Sequence, residues 1–411
     1  MKTSIYNIFF RGLTLLSKFL FIIFLGKFSV DETNLGVFGI FSTSIALLIY
    51  FIGFDFYVFN TREILKAPNE IIDKLRNQLF FHSIGYIIVL PISLLFIFSF
   101  GFITMEYLWL FIFLIISEHL GQELYRLFTT LEKSVKANIM LFLRSSVWVW
   151  CVFIDYFVFN NPISLKRYII IWAIFSWSTF LIFTIYAIID IGIKNMSFKH
   201  PDWRWIKSGF KTASFFLIGS VSFQIIQLSD RFMIDYFFGK KLVGVYTAYA
   251  QFSNAIDVFT FSAITMIAYP KMIKTFSDSS TYKKIKKALL MSLVGMSSLL
   301  ILVTCFLGPI IFRFLEKDSI LDEINTFYVL LLSVFLLITS NAFHYDLYVK
   351  NKDILIVKIA VFSMLINVVL NLILIPKHGI LGASIATLVT FLIIFILKFY
   401  FSFKTKVDDS I

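Results

Sequence analysis

Ser4, Asn7, Arg11, Thr14 and Lys18 recur every three or four residues within an otherwise apolar stretch, residues 5–26. On a helix of 3.6 residues per turn they share one face. The stretch is long enough to span a bilayer, where a lipid-facing cation costs about 2.5–3.5 kcal/mol on insertion scales. Two cations kept in register there point to water, protein or an anion rather than to lipid. Arginine can grip a phosphate through two parallel N–H bonds, and lysine adds a compact charge. At roughly 1.5 Å per residue Arg11 and Lys18 stand about 10 Å apart, two rungs for an anion crossing the membrane. The alternative is that each pairs with an acid from a neighbouring helix.

Other polar side chains are also embedded in apolar stretches. His119, Gln122, Glu123 and Arg126 follow an i, i+3, i+4, i+7 pattern, with Glu118 beside them. Glu118 and Glu123 are candidates for ion coupling, or for pairing with the first helix. Ser220, Gln224, Gln227 and Arg231 share one face, and Gln224, Gln227 and Arg231 join Arg11 and Lys18 as candidate substrate-binding residues. Their amides and hydroxyls suit hydrogen bonds to sugar, but also suit helix-to-helix contacts. Asp257, one turn after Asn254, is a third coupling candidate or a structural partner for a cation. Asn367 and Asn371 read as interhelical hydrogen-bond formers. The embedded acids, which include Asp55, Asp155 and Asp230, outnumber the cations Arg11, Lys18, Arg144 and Arg231, so the sign of any cavity stays open. No catalytic residue, metal-ligand cluster, nucleophile–base pair or phosphate loop is legible, and Cys151 and Cys305 read as packing residues. We expect no enzyme and no cofactor, with a proton or sodium gradient as the possible source of coupling.

The elements that must carry these residues are membrane spans. Of 411 residues, 59% are hydrophobic and 15% charged, which excludes an ordinary soluble domain. Twelve spans are expected near 5–26, 36–60, 78–100, 105–126, 137–159, 168–190, 209–237, 243–268, 288–312, 324–349, 354–375 and 380–403. The first reads as a retained span rather than a cleaved signal. Lys and Arg are concentrated on one side, in the 61–77 loop, at Lys133 and Lys136, at Lys194 and Lys199, along Lys271–Lys287, and at Lys404 and Lys406. The other side has fewer, among them Lys27, Arg167, Lys241, Arg313 and Lys377. The positive-inside rule then puts both termini in the cytoplasm, and anionic lipid accounts for the net charge of +12 without nucleic acid. The stretch near 191–208, with Pro201 and Trp203-Arg204-Trp205, reads as an interfacial linker with an aromatic belt.

The chain also looks duplicated. Gly36-Val37-Phe38-Gly39-Ile40-Phe41 and Gly244-Val245-Tyr246-Thr247-Ala248-Tyr249 share a Gly-Val-aromatic-x-x-aromatic pattern. Their offset also carries the chain start to the seventh span and the 61–77 loop to the second basic loop. Two six-helix lobes, residues 1–200 and 201–411, are expected, related as parallel repeats by a pseudo-twofold axis along the membrane normal. Such an arrangement leaves a central cleft for alternating access. Gly36 and Gly244 would serve as helix caps or turns.

The 34–55 stretch, Asp230-Arg231 with Gly244-Val245-Tyr246-Thr247-Ala248, and the run from Asn367 through Asn371, Pro376, Gly379, Gly382 and Ala383 to Thr387 carry a resemblance. Together they resemble the O-antigen and capsule repeat-unit flippases of the multidrug, oligosaccharidyl-lipid and polysaccharide exporter superfamily. The resemblance implies an all-α integral membrane protein in the cytoplasmic membrane of a bacterium or archaeon. It implies translocation of undecaprenyl-diphosphate-linked oligosaccharide from the inner to the outer leaflet for surface polysaccharide. Its partners would be that lipid-linked substrate, membrane lipids and polysaccharide polymerase machinery. Basic cavity residues meet the diphosphate or acidic sugars in that picture, and Arg11 matches by position. Two alternatives stand beside it: a cation-coupled multidrug exporter of the same superfamily, and a membrane polysaccharide polymerase.

Overall fold

Long apolar runs without water to satisfy their backbone must close their hydrogen bonds within the segment, and here they do so as helices. The computed structural model describes residues 2–191 and 200–405. Lys194, Lys199 and Lys406 lie outside the described residues, as does the side chain of Ser4. Every regular element among the described residues is helical. The first series is α1 (Lys2–Phe28), α2 (Thr33–Gly53), α3 (Phe56–Lys66), α4 (Ile71–Ser99), α5 (Leu108–Thr130), α6 (Ser134–Ser145), α7 (Val147–Phe157) and α8 (Leu165–Ile191). The second is α9 (Trp203–Phe238), α10 (Lys240–Thr260), α11 (Met266–Lys274), α12 (Ser279–Leu315), α13 (Asp318–Asp322), α14 (Ile324–Val349) and α15 (Asp353–Lys404).

Ten segments among the described residues are long and apolar enough to cross a membrane. Two places account for the difference from the expected twelve. The first is α5, which Glu118, His119, Gln122 and Glu123 make more polar. The second is α15, which is two helices meeting at Gly379, where φ 59° and ψ −139° suit only glycine. The protein is a multi-pass membrane protein.

Two expected spans are not continuous. The second breaks at Phe54 and Asp55, both left-handed at φ 54° and 50°, and the chain restarts as α3. The fifth breaks at Ser146 between α6 and α7. Neither break carries a proline or glycine at the turning residue, so hydropathy alone does not reveal it.

By contact density the chain resolves into two compact units, residues 1–21 with 40–221, and residues 22–39 with 222–411. In the first, Phe128 sits among Leu124, Leu127, Ala137, Met140 and Ala187. A second aromatic cluster there joins Phe56, Phe59 and Phe81 to Trp205, whose ring centroid lies 5.0 Å from that of Phe59. The 203–205 segment is thus not a free interfacial linker. Asp202 caps it, accepting from the Arg204 and Trp205 amides, and the helix α9 begins at Trp203. Trp203 is exposed, whereas Trp205 is half-buried.

The second unit packs Ile226, Leu337, Leu347, Ile359, Phe391 and Ile394 together. Tyr249, Phe252, Phe312 and Phe327 form edge-to-face pairs at 4.9–5.5 Å. Without a hydrophobic gain between helices in lipid, such close packing has to hold them. The duplicated glycines show how close it becomes. A Cβ on Gly36 would lie 1.8 Å from the Lys240 carbonyl oxygen, and one on Gly244 would lie 2.1 Å from that of Glu32. Each glycine faces the residue four before the other. They are therefore not caps or turns, as their place near span starts suggested: both lie inside helices and let α2 cross α10 backbone to backbone.

Candidate functional site

The polar face of α1 packs along α5 and α6. Asn7 donates to the Ser134 hydroxyl at 3.0 Å and accepts from the Asn138 amide. Arg11 donates through Nε to Asn138 Oδ1 at 3.0 Å and through Nη2 to the Tyr125 hydroxyl at 2.8 Å. Thr14 returns its hydroxyl to the Phe10 carbonyl. Lys18 differs from the other described members of the stripe: its side chain is exposed and makes no hydrogen bond or ion pair among the described residues. Glu118 and Arg144 are the charges that act on it.

The two coupling candidates of α5 are both engaged. Glu118 is buried and accepts from Trp172 Nε1 at 3.0 Å and from the Ser176 hydroxyl at 2.9 Å. Arg144 Nε lies 3.5 Å from its other oxygen, while Nη1 bonds the Glu118 carbonyl and Nη2 bonds Gln122. The arrangement ties α5, α6 and α8 together. Glu123 pairs with Arg126 at 2.5 Å and accepts from Gln78 Nε2 at 2.6 Å. Arg126 lies 3.7 Å from the centre of the Tyr57 ring and 3.9 Å from Asp55.

In the second unit a polar cavity of about 40 Å³ is lined by Gln227, Asp230, Arg231, Tyr246, Asn254, Asp257 and Thr387, among others. The structure thus gathers Gln227, Arg231 and Asp257 at one place, while Gln224 is not part of the lining. Arg231 is buried and already neutralised: Asp230 Oδ1 lies 3.3 Å from its Nη1, which also bonds the Gln227 carbonyl. Asp230 accepts from the Tyr246 hydroxyl as well. Asp257 is the open member. It has no hydrogen bond or ion pair among the described residues, and the charge that acts on it is Lys398.

Two groups here escape sequence reasoning. Lys398 is buried inside the last span yet sits close enough to its end to read as an interfacial anchor. Asp346 is 1% exposed and gathers Lys286 at 3.0 Å, Lys350 at 2.8 Å, Tyr282 and Ser402. It borders a cavity of about 580 Å³ lined by Lys283, Lys286, Lys287, Phe343 and Phe403. The sequence signal was the lysine run itself, which the positive-inside rule explains without a ligand.

No protein-family model matches the sequence, and no curated protein sequence matches it either. Solved structures do. The lipid II flippase MurJ in an inward closed conformation aligns with a TM-score of 0.75 at 17% identity, over 98% of this chain and 87% of that one. The chain shares this fold. A multidrug resistance MATE family transporter of the MOP superfamily, inward-facing, gives 0.71 at 13% identity over 98% and 97%. A Vibrio cholerae MATE transporter, VcmN, gives 0.57 at 13% over 98% and 96%. All three are carriers rather than enzymes by name.

Proposed function

We propose that this protein is a flippase. On this reading it moves undecaprenyl-diphosphate-linked oligosaccharide repeat units from the inner to the outer leaflet of a bacterial or archaeal cytoplasmic membrane, by alternating access, for surface polysaccharide. Both termini lie in the cytoplasm, and the polymerase machinery takes the product. The fold likeness to a lipid II flippase supports a carrier of lipid-linked substrate. The observation that carries the reading is the polar face of α1. Keeping an exposed Lys18 on the same helical face as Arg11, two turns further along a spanning segment, is costly unless an anion or water meets it. Glu118 has its oxygens filled by Trp172, Ser176 and Arg144, which leaves the Lys18 ammonium for a substrate phosphate. The lysine-lined cavity beside Asp346, with Phe343 and Phe403 on its apolar wall, is chemically suited to a phosphate headgroup carrying a lipid chain.

Proteoliposomes with a labelled lipid-linked oligosaccharide test this. Losing one charged hydrogen bond removes about 1.5–3 kcal/mol. Arg11→Ala and Lys18→Ala are thus each expected to slow translocation roughly tenfold or more, with the protein folded and inserted. Wild-type rates in the double variant would remove both residues from the substrate path.

A second reading, a cation-coupled multidrug exporter, is favoured by the MATE likeness and by the open carboxylate of Asp257. Efflux of cationic dyes by the same proteoliposomes, with no movement of the lipid-linked glycan, would select it.

A further inference from the structure

We propose that His82, His119 and Glu123 form a binding site for one divalent transition-metal ion of the zinc type. The fold brings together what the sequence separates: His82 from α4, and His119 with Glu123 one turn later from α5. One ligand atom of each lies within 4.8 Å of the other two. Both imidazoles are buried, at 2% and 0% exposure, and Nε2 of each has no hydrogen-bond partner among the described residues. A buried ring nitrogen left unpaired costs about 1–3 kcal/mol. Two such atoms beside one carboxylate, with His119 Nε2 4.0 Å from Glu123 Oε1, are what a metal would satisfy.

The rest of the cluster has the features of a support. Tyr86 holds His119 Nδ1 at 2.7 Å. A proton on Nδ1 donated to that hydroxyl leaves Nε2 as the lone-pair atom, the arrangement that orients metal-bound histidines. The His82 ring has the Gly53 backbone as its hydrogen-bonding neighbour. Two neutral imidazoles and a carboxylate are the donor set of open zinc sites, with the fourth place left to water. Glu123 also lines a cavity of about 10 Å³ with Tyr57, Asn60 and Thr61, room on the scale of one water.

Ligand atoms around a tetrahedral zinc at 2.0–2.1 Å are about 3.3 Å apart. The three side chains, whose ligand atoms now lie within 4.8 Å of one another, would therefore close by up to about 1.5 Å on binding. Arg126 and Gln78 are the competitors, since they hold the two oxygens of Glu123 at 2.5 and 2.6 Å; Gln78 is neutral, and Arg126 is the one whose charge must be met elsewhere. It has an alternative: Asp55 is 3.9 Å away and the Tyr57 ring lies against it. Metal binding thus moves Arg126 from one carboxylate to the next without stranding its charge. The same side chain makes affinity moderate, because a cation must be displaced.

The test is Co²⁺ titration of tag-free, chelator-treated protein in detergent, read by visible absorption and by elemental analysis after desalting. One equivalent per chain with a tetrahedral spectrum, displaced by Zn²⁺, is expected. His82→Gln and His119→Gln abolish the spectrum, and Glu106→Gln, remote from the cluster, leaves it unchanged. Tyr86→Phe keeps all three ligands but weakens binding about 10–100-fold, the usual effect of removing an orienting partner. The absence of a saturable equivalent in the wild type overturns the proposal, as does a Tyr86→Phe titration identical to it. Should a histidine variant fail to fold, those two titrations decide the matter alone.

Discussion

Glu118 shows how far a single residue can be read before its partners are known. Its type and its place inside a span mark it as costly, and that much is legible in the sequence. What it costs is settled by Trp172, Ser176 and Arg144, which come from helices up to 58 positions away and leave no trace in local spacing. Removing one partner of a buried pair strands the other charge, at about 3–5 kcal/mol. Glu118→Ala is expected to lower thermal stability in detergent by that order, while Glu118→Leu combined with Arg144→Met recovers most of it. A double variant no more stable than Glu118→Ala would mean that the carboxylate is held for something other than Arg144. Lys18 is the contrary case. Its pattern was visible from spacing alone, and the described structure gives it no hydrogen bond, only the charges of Glu118 and Arg144.

At the scale of elements, the Gly-Val-aromatic repeat was legible as a pattern and misread as a cap. The reason is physical: a glycine near a helix start serves equally as a cap or as a crossing point, and only the neighbour's backbone distinguishes them. Here Gly36 and Gly244 bring the carbonyls of Lys240 and Glu32 to where side chains would stand. Overpacking ordinarily costs about 1–3 kcal/mol, and more when the obstacle is backbone. Gly36→Val and Gly244→Val should each destabilise the protein by at least the upper part of that range, whereas Gly12→Val, which meets nothing, should not. Equal melting temperatures for Gly36→Val and Gly12→Val would show that α2 and α10 do not cross as described. The breaks at Asp55 and Ser146 were invisible for a related reason. Hydropathy averages over a turn, and a break filled by ordinary apolar and polar residues leaves the average unchanged.

For the whole molecule, most of the expected spans were legible because bilayer thickness fixes span length, and ten segments meet it by length and composition alone. Which acid could link transport to an ion gradient was not legible, since Glu118, Glu123 and Asp257 look alike in the sequence. The described contacts separate them: the first two have partners on their oxygens, and Asp257 has none within hydrogen-bonding or ion-pairing reach, only the field of buried Lys398. Carrying a coupling ion and neutralising Lys398 are two readings of it, and they differ in what a second substitution does. If Asp257 only balances the lysine, Asp257→Asn impairs transport by stranding that charge, and adding Lys398→Met removes the cause and restores transport. If Asp257 carries the ion, the double variant is folded but still fails to respond to an imposed proton or sodium gradient, while binding of substrate without a gradient stays near wild type. We expect the second outcome, measured as the ratio of transport rates with and without the gradient. A double variant that regains the wild-type ratio would reduce Asp257 to a counter-ion and move the search for coupling to another residue.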